Sequence, residues 1–186
     1  SMGAGVTTGA DNVAIGNKAL CLVAGGATNV AIGLSAAASL TTGQHNVAIG
    51  HNALDGVVTG NHNIAIGACA HDTATSAACN ISIGHRANGL AENNCWDIAI
   101  GHNAMMECGG ARHNNIAIGQ SAMQCIRTGI ENVSIGLNTM RNMCTGKWNV
   151  VIGPQAGTGI SAGCDGIFIG RSVAYTGTST PNDSIA

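Results

Sequence analysis

NVAIG at residues 12–16, NVAIG at 29–33 and NVAIG at 46–50 open a series that decides the fold. It continues as NIAIG (63–67), NISIG (80–84), DIAIG (97–101), NIAIG (115–119), NVSIG (132–136), NVVIG (149–153) and GIFIG (166–170). The closing glycines are Gly16, Gly33, Gly50, Gly67, Gly84, Gly101, Gly119, Gly136, Gly153 and Gly170. Each follows an isoleucine: Ile15, Ile32, Ile49, Ile66, Ile83, Ile100, Ile118, Ile135, Ile152 and Ile169. The interval is 17 residues throughout except between Gly101 and Gly119, where it is 18. A period this strict marks a stack of similar rungs, each resting on its neighbours alone. The expectation is an all-β, parallel β-solenoid (β-roll) of about ten 17-residue rungs.

Positions within a rung are counted from the closing glycine. Position −3 is Val or Ile in every rung, position −1 is always Ile, and position −2 is Ala in six and Ser in two. This period-two alternation is that of a strand with one apolar face. It predicts that the Val/Ile face lines the interior. The small Ala/Ser face is expected to lie outside, closely covered by something packed on it. Position +3 is Ala in eight rungs, and +4 is Leu or Met at Leu20, Leu54, Met105, Met123 and Met140, a second short strand. Gly at −7 in seven rungs, often within TTG or VTG, is turn chemistry. Position −4 is Asn in eight rungs, with Asp97 and Gly166 as exceptions. Stacked rungs would align these amides in an internal ladder. Asn80-Ile-Ser and Asn132-Val-Ser match a glycosylation acceptor, but both asparagines occupy this structural slot.

Composition excludes several classes of function. Four residues are aromatic (Trp96, Trp148, Phe168, Tyr175), 9% are charged and 45% are hydrophobic. Small and β-branched side chains suit a thin layered core. Seven Lys and Arg, unclustered, with a net charge of −2, give no nucleic-acid or anionic-membrane footprint. No apolar run reaches the roughly 18 residues of a membrane span, so no membrane insertion by this segment is expected. Ser1-Met2 reads as an expression scar, leaving 3–186 as a single array. Asp183 stands where an eleventh repeat would begin, so the chain reads as a fragment truncated within that repeat.

NVAIGxxAL followed by TTG resembles the head repeat of trimeric autotransporter adhesins and related repeats in phage and large-virus tail or surface fibres. The resemblance covers nearly all of 3–186. It implies a β-roll assembled as a side-by-side homotrimer, with a structural role in display and attachment to a host-surface receptor or glycan. The 17-residue rung and the cysteines fit a virion surface fibre better than a bacterial cell-surface adhesin. The rival is the left-handed β-helix of hexapeptide acyltransferases, which IGNKAL, IGHNAL and IGQSAM resemble. That coil needs three hexads, 18 residues, per turn, and usually an extruded loop carrying a histidine. The expectation is therefore no enzyme and no cofactor.

His85 and His102 share position +1 in adjacent rungs, with His51 two rungs earlier; His45 and His62 share −5. Columns of imidazoles about 4.8 Å apart are weak metal candidates. The nine Asp and Glu are scattered, with no pair marked for glycoside hydrolysis. Trp96 and Trp148 both stand at −5, a position of mixed, mostly polar residues. They are candidate binding residues, as a sugar platform or receptor anchor, or else pack on a neighbouring chain. Cys79 with Cys95, and Cys108 with Cys125, lie in adjacent rungs one position out of register, within range of a disulfide but with side chains that can point apart. Eight cysteines so scattered suit assembly in a reducing compartment.

Overall fold

The computed structural model describes residues 9–73, 75–90, 94–106, 110, 112–173 and 184–185. It is a parallel β-solenoid of about nine turns, and no described residue is helical. Eleven short strands, from Val13–Ile15 to Ser184–Ile185, form one continuous parallel sheet. Position −3 pairs with −3, −2 with −2 and −1 with −1 at each of the nine steps between the ten repeats, as in Val47↔Ile64, Ala48↔Ala65 and Ile49↔Ile66. The 18-residue interval keeps this register, since Ile98 pairs with Ile116 and Ala99 with Ala117. Cys95 also pairs with His113, so the extra residue falls between Met105 and His113. Ser184 pairs with Gly166, so the strand after Gly170 starts one residue later than the Asp183 register anticipates; Asp183 itself lies outside the described residues. A second sheet pairs Thr145–Lys147 with Ala162–Cys164. Single bridges carry it back through Ile130, His113 and Cys95 to Ala78.

The faces of the main sheet are the reverse of the expectation. Ala31, Ala48, Ala65, Ser82, Ala99, Ala117 and Ser134 are fully buried, whereas the Val and Ile on either side are half-buried or exposed. The lumen explains this. The −2 column faces the +4 column of the neighbouring segment at close range; the contact between His71 (+4) and Ser82 (−2) is 3.1 Å. Leu20, Leu54, Met105, Met123 and Met140 fill that space from one side, leaving room for little more than a methyl group on the other. Where −2 grows to Val151, position +4 shrinks to Gly157, so volume is conserved. Alternation correctly separates two sets of side chains; the −2 set is inside, small in most rungs but including Val151 and Phe168.

The asparagine ladder is present as expected. The Oδ1 of Asn29 accepts from the Asn46 backbone N–H (3.0 Å) and from its Nδ2 (3.1 Å), and Asn46 Nδ2 also donates to the Gly60 carbonyl (2.8 Å). The same triplet recurs at Asn63, Asn132 and Asn149. Asn80 and Asn132 are fully buried in it, which removes both glycosylation matches from the surface.

Two backbone features hold the corners. The closing glycines have φ near +130°; a Cβ on Gly50 would lie 2.6 Å from the Gly67 carbonyl oxygen, so only glycine fits. In addition, among the described residues 28 non-glycine residues have φ between +46° and +60°, all at positions −5, +2 and +4. Left-handed geometry costs an L-residue about 1–2 kcal/mol. Inter-rung bonds maintain it: His45 N–H donates to the Ala27 carbonyl at 3.1 Å, Ser35 N–H to Asn17 at 2.8 Å and Leu54 N–H to Ala70 at 2.9 Å. Gln155, exposed with φ +60°, gives a direct test. Gln155→Gly is expected to stabilise the array by about 0.5–1 kcal/mol, the relieved strain less the entropy of glycine. A lower midpoint in urea would contradict this account of the corner.

Candidate functional surfaces and a sealed polar cluster

The outer face of the long sheet carries two unbroken columns of β-branched side chains, Val/Ile at −3 and Ile at −1. Ile15 is 58% exposed and Ile169 is 60% exposed, and Leu34 and Leu137 at +1 add to the same region of the rung. Ten rungs at about 4.8 Å and a strand width near 10 Å make an apolar strip on the order of 500 Å². Strips of that size on soluble proteins usually mark an interaction site. The second sheet is different. Its outward positions are mixed: exposed Thr145 and Lys147 on one strand, half-buried Ala162 and Cys164 on the other, with Thr42, Thr59, Ser76 and Thr128 exposed in the column of Thr145. One side of the molecule is uniformly apolar and another is mixed, within the same repeat.

Trp96 (59% exposed) and Trp148 (52% exposed) stand on the surface in the left-handed −5 column. Asn114 and Glu131 occupy the two rungs between them. Trp148 Nε1 donates to Glu131 Oε2 at 3.0 Å, and Lys147 Nζ lies 5.9 Å from the ring centre, so this indole is fixed in orientation. The histidine columns also form: His45 stacks on His62 at 4.8 Å, and His85 on His102 at 5.2 Å. Among the described residues no group of three or more His, Cys, Asp or Glu converges on a point that could hold a metal ion. The stacked pairs supply two imidazoles, and His51 is displaced by two rungs.

Cys79 and Cys95 are not joined in a disulfide. Cys95 pairs with Ala78, so Cys79 is one residue past the opposite position and its side chain is directed elsewhere. Cys108 lies outside the described residues. Burial and nearby Asp72 push the Cys69 thiol above its ordinary range, and burial raises the Asp72 carboxyl as well.

The lumen holds a group that repeat analysis alone did not single out. His71 and Asn88 take the +4 position of Leu and Met, Ser82 takes the −2 position of Ala, Asp97 replaces the ladder Asn, and Asn94 and Arg112 replace the −7 Gly. All six are fully buried. Arg112 Nε donates to Asp97 Oδ2 at 3.1 Å, a sealed ion pair, and Arg112 Nη2 donates to Asn88 Oδ1. Asn94 Nδ2 donates to Asp97 Oδ2 (3.1 Å) and Asn88 Oδ1 (3.3 Å). The other oxygen of Asp97 continues the ladder, accepting from Asn115 N (2.8 Å) and Nδ2 (3.1 Å). His71 Nδ1 meets Ser82 Oγ at 3.1 Å and Asn88 Nδ2 at 3.3 Å. A serine beside a histidine suggests nucleophilic chemistry, but both are sealed from solvent. Burial, followed by Arg112, lowers the His71 pKa to about 3, so the ring is neutral. The signal in the sequence is the clustering of these departures in neighbouring rungs, next to the 18-residue interval.

No family model, no curated protein and no solved structure matches the chain.

Proposed function

We propose that this chain is a structural segment of a homotrimeric fibre, a spacer and display element for attachment, of the kind found on virion surfaces or, alternatively, bacterial cell surfaces. The observation that carries the reading is the outward Val/Ile strip. Its two columns can face two different neighbours, the −3 column of one chain meeting the −1 column of the next. Such a heterologous contact closes into a ring, and three is the smallest ring that is not a self-facing pair. The second sheet, with Thr145 and Lys147 exposed, would then face solvent. The 17-residue interval remains the argument against a hexapeptide acyltransferase.

Sedimentation equilibrium should give three times 18.4 kDa, held to high dilution. A folded monomer at micromolar concentration would remove the main support for the fibre. Receptor or glycan contact is assigned to Trp96 and Trp148, whose exposed indoles are the largest anchors on the mixed side. The Trp96→Ala/Trp148→Ala protein should keep the parent mass and lose retention on immobilised glycans; equal retention of both proteins would exclude the tryptophans as the attachment point.

A further inference from the structure

The buried apolar side chains form two separate packed clusters, one with members from Ala19 to Ala77 and the other with members from Ala87 to Phe168. Between them sits the sealed group of His71, Ser82, Asn88, Asn94, Asp97 and Arg112. We infer that this group is an acid-sensitive joint, which divides the array into two cooperative halves and loosens first when the pH falls.

The geometry makes this junction the weakest in the stack. In a stacked array, stability is a sum over rung–rung interfaces. The other interfaces from Asn12 to Asn149 each carry a full ladder step beside buried apolar side chains. At the joint, polar side chains replace the packing, and the ladder step is thinner. Asp97 has no side-chain amide, so Asn80 Oδ1 receives the Asp97 N–H at 2.9 Å and only a long 3.5 Å contact from Asn94 Nδ2. Two buried polar atoms, His71 Nε2 and Asn94 Oδ1, have no hydrogen-bond partner. Each such group weakens the closed state, because the hydrogen bond it made to water is lost without replacement. Local opening begins at sites of this kind.

Acid acts through His71. The Asn88 amide donates to Nδ1, which places the ring proton on Nε2. An imidazolium would need acceptors for two N–H groups where Nε2 has none. It would also share the lumen with the Arg112 cation and a single carboxylate, Asp97. Among the described residues these are the charged and titratable groups inside; Cys69, Asp72, Arg86 and His113 belong to the same rungs outside the lumen. The sign follows from linkage. An opened segment takes up a proton below about pH 6.5, whereas the closed segment resists until about pH 3. Between these values the open form binds one more proton, so lowering pH favours opening; above 6.5 the effect vanishes. From pH 7.5 to 5.0 the opening constant should rise about thirty-fold, a tenfold change per unit once below 6.5.

The inference rests on the lumen and applies to one chain or to an assembly. Hydrogen exchange of the intact protein, resolved by rung and corrected for the intrinsic effect of pH, tests it. At pH 7.5 the segment from His71 to Asn115 should be the least protected interior stretch. At pH 5.0 its exchange should rise about thirty-fold while the rungs around Ala48 and Ala156 change little. His71→Leu, which installs the residue found at Leu20 and Leu54, should abolish the pH effect. His71→Gln, polar but not titratable, serves if the leucine variant does not fold. Uniform protection along the array, a pH effect spread evenly over all rungs, or a thirty-fold effect persisting in either variant would overturn the joint.

Discussion

Ala48→Asp should prevent the array from folding, while Ile49→Asp, one residue further on, should leave each chain folded and separate the chains. Ala48 is fully buried, in register with Ala31 and Ala65, and its neighbours in the core are apolar. A carboxylate there has no partner and no space, and burying an unpaired charge in an apolar site exceeds the stability of most domains. The effect should be well over 4 kcal/mol, beyond the ordinary range of point changes. Ile49 points out of the same strand. An Asp at that position is solvated in a lone chain but charges the proposed interface three times over. Far-UV dichroism should therefore show an intact β signal for Ile49→Asp and none for Ala48→Asp. Sedimentation should show monomer for Ile49→Asp at concentrations where the parent is trimeric. An unfolded Ile49→Asp chain would mean that the outer face is needed for the rung itself. A stable Ala48→Asp chain would mean that the strand faces are assigned the wrong way round.

The second large effect concerns the sealed ion pair. In most rungs the ladder Asn donates its amide to the carbonyl of the next −7 residue, as Asn132 does to Gly146. Asp97 cannot donate, and Arg112, in the −7 position, donates to it instead. The two departures from the repeat therefore form one exchange of partners. Arg112→Gly alone would leave a buried carboxylate without its cation and should cost about 3–5 kcal/mol. Asp97→Asn/Arg112→Gly restores the Asn and Gly of the other rungs and should recover most or all of that loss, because replacing a buried ion pair outright is often neutral or stabilising. Urea denaturation of the four proteins in this cycle measures the coupling. Additive losses, with the double variant as weak as the sum of the singles, would show that the pair is not a unit.

These tests also show what the sequence made legible. The period, the parallel register and the Asn ladder followed from spacing alone, because a column forms wherever the interval is constant. The 18-residue interval did not disturb this, since its extra residue falls between Met105 and His113, away from the long sheet. The assignment of faces failed because Ile outranks Ala in hydrophobicity, whereas in most rungs the +4 side chains leave room for only a small residue at −2. The size match between Val151 and Gly157 was the available clue. The left-handed columns were hidden by their variety: position −5 holds Asp11, Thr28, His45, Cys79 and Trp96, which share no propensity and are held by inter-rung bonds instead. Of the candidate site residues, the two tryptophans proved exposed and the histidines stacked, as their columns implied. Arg112 needed a different reading, in which departures from the repeat are compared across rungs rather than counted within one column.

The ladder of side-chain amides also gives the molecule a direction. Each Asn oxygen accepts from the rung after it, never from the rung before, so every step repeats the same donor-to-acceptor sense. The column of Asn side-chain oxygens is therefore directional: each oxygen faces donors of the following rung, while the backbone ladder carries bonds in both senses. Asn149 makes the last such step by accepting from the backbone of Gly166, which has no amide to hand on. Two segments of this kind joined end to end continue that column in one orientation only, tail of one to head of the next. A rod built from them acquires polarity from its interior, with no marking on its surface.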